Sequence, residues 1–117
     1  MRRCLMVALL LAAPGVGALT SEAKEFLEIS KQLEPVQCEK RRLRREIVFA
    51  EAENRSEDAR ALKKRFAAID KDPKTVKLEK RLAQLNQRLL DASGKARHPE
   101  DLDAISFRHR EAFYRCE

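Results

Sequence analysis

At 117 residues the chain has room for one modest domain, and its make-up is that of long solvated helices: 38% of residues are charged, 5% are aromatic, tryptophan is absent and glycine occurs three times. A compact enzyme core would be richer in glycine and aromatics. The formal net charge of +6 counts Arg2 and Arg3 and falls to +4 without them, a modest excess that suits an acidic partner but lacks the dense basic patch of a dedicated nucleic-acid binder.

Residues 1–18 read as an export signal. Arg2 and Arg3 precede an apolar run from Cys4 to Ala13, Pro14 and Gly15 break it, and Val16-Gly17-Ala18 supplies the small residues a signal peptidase reads. The run is about half the roughly 20 residues of a bilayer-spanning helix, which argues against a membrane anchor. Cys4 stands before the apolar run and not at its end, which argues against a lipoprotein. The expected mature chain, 19–117, is secreted or periplasmic and keeps two cysteines, Cys38 and Cys116. An even pair in an oxidising compartment favours one structural disulfide.

Four helices are predicted in that single domain. The first covers 21–34, with Ser21 as cap, Glu22 and Glu25 in the first turn, and apolar Phe26, Ile29 and Leu33 at three-four spacing. Pro35 marks a kink or a fresh start. The second covers 35–71, carrying Val36, Leu43, Ile47, Ala50, Ala59, Leu62, Phe66 and Ile69 to the turn Asp70-Lys71-Asp72-Pro73. It is one long helix, about 50 Å at 1.5 Å per residue.

Asp72 and Pro73 open a third helix, 73–92, with the most regular repeat in the chain: Leu78, Leu82, Leu85, Leu89 and Ala92. Ser93 and Gly94 end it. Pro99, Glu100 and Asp101 then open a fourth, 99–116, with stripe residues Leu102, Ile105, His109, Ala112 or Phe113, and Cys116. The expected fold is all-α, an elongated antiparallel helical hairpin or a three-helix bundle, stapled by Cys38 and Cys116. If the chain reverses near Pro73, the last two helices return in line along the long helix and Cys116 comes level with Cys38.

Cys38 is well off the Leu43, Ile47 and Ala50 stripe but shares a face with Leu27 and Phe49, eleven residues to either side, which is close to three full turns. This second stripe either receives the last helix through Phe107 or Phe113 or forms an exposed surface for a partner or a homodimer. Leu27, Phe49 and Phe113 are accordingly the candidate apolar partner surface.

Chemistry-bearing motifs are sparse. His98, His109 and Cys116 lack the paired spacing of a metal site, and a disulfide would remove the thiolate, so no metal and no cofactor is expected. Carboxylates alternate with lysine and arginine at intrahelical pairing distance, as Arg42 with Glu46 and Glu51 with Arg55. No phosphate loop, serine elbow or paired-cysteine motif occurs, and catalysis is not expected.

The sharpest local feature is Glu39-Lys40-Arg41-Arg42-Leu43-Arg44-Arg45-Glu46. Lys40, Arg41, Arg42, Arg44 and Arg45 form either an anion- or partner-binding face or a solvated face balanced by Glu39 and Glu46. No aromatic lies within the run to stack on a base, which disfavours nucleic acid. Asn54-Arg55-Ser56 is a formal glycosylation sequon, expected mid-helix. In architecture alone the chain resembles the small exported hairpins of Gram-negative stress chaperones and metal sensors, without the Leu-Thr-x-x-Gln motif of the former or the His/Met cluster of the latter. No functional residue carries over.

The function expected from these features is macromolecular binding, by a small exported helical adaptor, inhibitor or chaperone-like helper whose partner is a protein of the cell envelope or extracellular space. The alternative is binding of an anionic lipid, polymer or other envelope component through Lys40 to Arg45.

Overall fold

The computed structural model describes residues 18–116; the export signal lies almost wholly outside them. The described chain is four helices: α1 Ser21–Ala52, α2 Ser56–Lys71, α3 Pro73–Leu89 and α4 Pro99–Arg115. None of them is long and apolar enough to cross a membrane.

Thr20, and not Ser21, caps α1: its Oγ1 accepts from the Ala23 amide at 3.2 Å. The helix then runs unbroken through Pro35, against the expected boundary at 34–35. A proline inside a helix costs about 3 kcal/mol, but Phe26, Ile29 and Leu33 are buried before it and Leu43 after it. At roughly 1.5–3 kcal/mol for each large apolar side chain, burial outweighs the missing bond. Pro35 and Lys31, whose carbonyl the missing amide would have met, are both exposed.

The break comes instead at Glu53–Arg55, and the expected helix over 35–71 is corrected accordingly. Asn54 adopts φ 57°, a left-handed conformation that asparagine tolerates better than other residues with side chains, glycine aside. The Arg55 amide donates to the Ala50 carbonyl at 2.8 Å and the Glu53 amide to that of Phe49 at 3.0 Å, closing the end of α1. Ala50 and Ala59 are buried across this reversal, and such small side chains let two helices start close together.

The chain therefore reverses here and not near Pro73. Ion pairs record the antiparallel register of the returning helices against α1: Glu51 with Lys63, Glu39 with Arg65 and Lys40 with Asp70 on α2, then Glu25 with Arg81 on α3. A single residue, Asp72, joins α2 to α3, its carboxylate accepting from the Thr75 amide at 3.0 Å and hydroxyl at 3.1 Å. The two helices returning in line are thus α2 and α3. The third helix stops at Leu89, three residues short of the expected end, because Asp91 gathers the next turn: its Oδ1 accepts from the Ser93 and Lys95 amides at 2.8 and 3.0 Å, and Gly94 takes φ 81°.

The chain then reverses a second time, and α4 runs parallel to α1. Thr20 bonds Asp101 and Glu34 bonds Arg115, each pair separated by 81 residues. The core sits at this end, where Ala23, Phe26, Ile29 and Leu33 of α1 meet Leu85 and Leu89 of α3 and Ile105 of α4. Both expected architectures are present, one at each end: a two-helix hairpin of α1 and α2, and a three-helix bundle of α1, α3 and α4. A Cys38–Cys116 disulfide, Cα–Cα 5.1 Å, closes the bundle where α4 stops.

Candidate functional site

The five cations of the Lys40–Arg45 segment are distributed around α1, and helices distant in sequence engage most of them. Lys40 pairs with Asp70 and lies 5.2 Å over the Phe66 ring. Arg42 donates to Glu39 at 2.7 Å and has Glu46 at 3.7 Å. That bond, reinforced by Arg65, holds the Glu39 carboxyl below the usual carboxylate range, and raises the Arg42 guanidinium in turn. Arg41 stacks 4.6 Å over Phe113 of α4, and Arg44 lies 5.2 Å over Phe66 of α2.

Arg45 is exposed. Neither Arg44 nor Arg45 takes part in an ion pair among the described residues, in contrast to Lys40 and Arg42. The aromatic partners of the segment were invisible in the local sequence because they arrive from α2 and α4. Lys40, Arg41 and Arg44, with Gln37 and Glu79, line a cleft of about 270 Å³. Ser30 Oγ and Arg41 Nη1 are buried without a hydrogen-bond partner among the described residues, and both residues line a separate small cavity with Arg108 and His109 of α4.

Leu27, Phe49 and Phe113 do not form one surface. Leu27 packs against the core cluster, so it is structural. Phe49 lies 22 positions along the same helix, about 33 Å away at 1.5 Å per residue. Phe113 is exposed on α4, covered on one side by Arg41 and met edge-on by Tyr114 at 5.6 Å. The eleven-residue spacing identified a real face of α1, but α4 covers only the part up to Cys38.

Beyond Cys38 that side of α1 is open. Val48 and Phe49 are 62% and 61% exposed. Phe49 faces a groove of about 550 Å³ at the hairpin end, where Ala61 and Leu62 supply the opposite wall and Glu46, Glu53, Arg55, Asp58 and Arg65 the rim. Arg55 is held by Asp58 at 3.0 Å and Glu53 at 2.7 Å, which raises its guanidinium. Val48 and Leu62 carried a signal that went unread as a surface, since a helix taken to continue past Asn54 places no second wall beside Phe49. Asn54 itself is exposed in the turn and not mid-helix.

His98 precedes α4 without capping it, and His109 lies beside Phe26, ring centroids 6.3 Å apart. Cys116 is committed to the disulfide. Among the described residues no three histidine, cysteine or acidic side chains come together as a metal site. Compared with known proteins, the chain matches no family model, no curated protein and no solved structure.

Proposed function

We propose that this protein is exported, processed to 19–117, and acts without catalysis by binding another macromolecule, a protein of the cell envelope or extracellular space. The observation that carries this reading is the open apolar hairpin end, where Val48 and Phe49 stay in water although the chain contains few large apolar side chains to spare. An exposed apolar groove with a charged rim is the usual make-up of a protein contact. Export fits the order of charge, apolar run and small residues in 1–18, and Leu19, the expected new terminus, packs on the core.

Binding of an anionic envelope polymer through Lys40 to Arg45 draws less support. Lys40 and Arg42 are occupied by carboxylates, and the five cations are spread around α1, so they present no continuous basic face to a polymer.

A photo-crosslinking amino acid at position 49, introduced into the exported protein in its own compartment, tests the reading. One discrete adduct to an identified protein, absent with the crosslinker at exposed Lys77 on α3, is expected. No adduct, or a ladder of unrelated proteins, overturns it. Intact mass of the same material should correspond to a chain starting at Leu19.

A further inference from the structure

The contacts between α1 and α4 follow one seam of α1: Glu34 meets Arg108 and Arg115, Cys38 meets Cys116, and Arg41 meets Phe113. Steps of four and three residues carry this seam onward through Arg45, Val48 and Ala52, which stay on the same side of the helix. α4 ends at Arg115, so beyond Arg41 the last two turns of the seam, about 10 Å from Arg45 to Ala52, have no helix against them. Arg45, Val48 and Ala52 are exposed. The track laid for one helix is longer than the helix that lies on it.

The chemistry of the uncovered track is specific. Its centre is Val48 and Ala52, Phe49 stands at one margin, and Arg41, Arg44 and Arg45 surround the end nearest α4. Glu51, on the opposite margin, is neutralised by Lys63. An apolar strip at helical spacing with unneutralised arginines beside it matches a helix with its own apolar strip flanked by carboxylates.

A second copy of this chain fits less well, because a two-fold contact centred on Val48 would set Arg44 and Arg45 opposite the Glu51–Ala52 end of the other copy, where Glu51 is already neutralised by Lys63. An anionic membrane fits less well too, since three arginines and two large apolar side chains give only weak attraction to a lipid surface.

We infer that the Arg45–Ala52 face of α1 is a docking track for an acidic amphipathic helix of a partner protein, which continues the line of α4. This rests on the protein-binding reading and names the chemistry and address of the partner. The partner's apolar residues lie on Val48, Ala52 and the Phe49 ring, and its aspartates or glutamates meet Arg44 and Arg45.

Selection of a random peptide library, with members long enough for four helical turns, against the oxidised full chain tests the inference. Enriched peptides should share leucine, isoleucine or phenylalanine at three-four spacing with adjoining acidic residues. Val48→Asp, and separately Arg44→Glu with Arg45→Glu, should each weaken their binding by roughly tenfold or more. Both sites are exposed, so circular dichroism of the variants should match the parent. Peptides with lysine in place of the acidic residues should regain binding to the doubly reversed protein.

Enrichment without acidic residues, binding unmoved by either variant, or no enrichment at all overturns the inference. So does a self-association abolished by Val48→Asp, or preferential binding to phosphatidylglycerol vesicles. None of these outcomes removes an adduct at position 49 in the native compartment, so the two readings fail separately.

Discussion

Asp101 and Thr20 are joined twice across 81 residues: one carboxylate oxygen accepts from the Thr20 amide at 3.1 Å and the other from its hydroxyl at 2.6 Å. Asp101 is 2% exposed, and the same Thr20 hydroxyl accepts from the Ala23 amide to cap α1. One side chain at the start of α4 thus organises the start of α1. The pair sets the parallel register of the two helices from one end, as the disulfide does from the other.

Removal of the carboxylate should be costly because its half-buried partner is left unsatisfied. Asp101→Ala leaves the Thr20 amide without an acceptor, and a loss of about 1–3 kcal/mol is expected in denaturant unfolding. Thr20→Val should lose the cap as well. In a double-mutant cycle the two changes should be strongly non-additive; simple additivity would show that the bonds contribute nothing to stability.

Reduction of Cys38–Cys116, which closes a loop of 78 residues, should destabilise the protein by roughly 4 kcal/mol in the chain-entropy account. Helix content should persist, since the core of Phe26, Ile29, Leu33, Leu85, Leu89 and Ile105 includes neither cysteine. Hydrogen exchange should rise first in the second half of α4, which among its own residues buries only Asp101 and Ile105 near its beginning. Non-reducing peptide mapping that finds free thiols or a disulfide dimer would contradict the pairing.

Backbone substitutions at the two anomalous positions should act in opposite directions. Pro35→Ala restores an amide in the middle of α1 and should raise stability by about 1–3 kcal/mol. Asn54→Val places a β-branched side chain at φ 57° and should lower it by about 1–2 kcal/mol. Thermal melts of the two variants decide this; a stabilising Asn54→Val would mean that the turn does not hold its left-handed residue.

Acid should loosen α4 through Glu34. The hydrogen bond from Arg115 holds its carboxyl below the usual range, against the opposing effect of desolvation, with the charges of Arg115, Arg108 and Lys31 assisting. A depressed folded pKa means that the contribution is fully present above the unfolded value of about 4.3 and fades as pH falls through the folded one. Exchange in α4 should therefore rise below about pH 4 in the parent, and Glu34→Gln should show the looser state already at neutral pH, with a flatter profile. An identical acid profile for the two would remove Glu34 from the explanation.

Much of the local structure was legible because it depends on neighbours in the chain. Asp72 and Pro73 announced the start of α3 through cap and fixed φ, and the leucines 78, 82, 85 and 89 declared its buried face by spacing. The pairing of Cys38 with Cys116 also followed from their number, though the geometry that brings them level is different: parallel helices after three passes, not antiparallel ones after two.

Position 35 against position 54 shows where local rules stop. Proline looked like the breaker and asparagine like an ordinary helix residue, yet the helix crosses Pro35 and ends at Asn54. Burial of Leu33 and Leu43 on either side of the proline outweighs one lost hydrogen bond, a comparison that exists only once α2 and α3 are in place.

The basic segment divides in the same way. Sequence determined that five cations stand between Lys40 and Arg45 on a helix, because charge and helical spacing are properties of consecutive residues. Only tertiary structure decided that Asp70, Phe66 and Phe113 engage Lys40, Arg41 and Arg44, and that the track beyond Arg41 stays open. Those outcomes depend on where three distant helices begin and end, and no spacing within one helix contains that information.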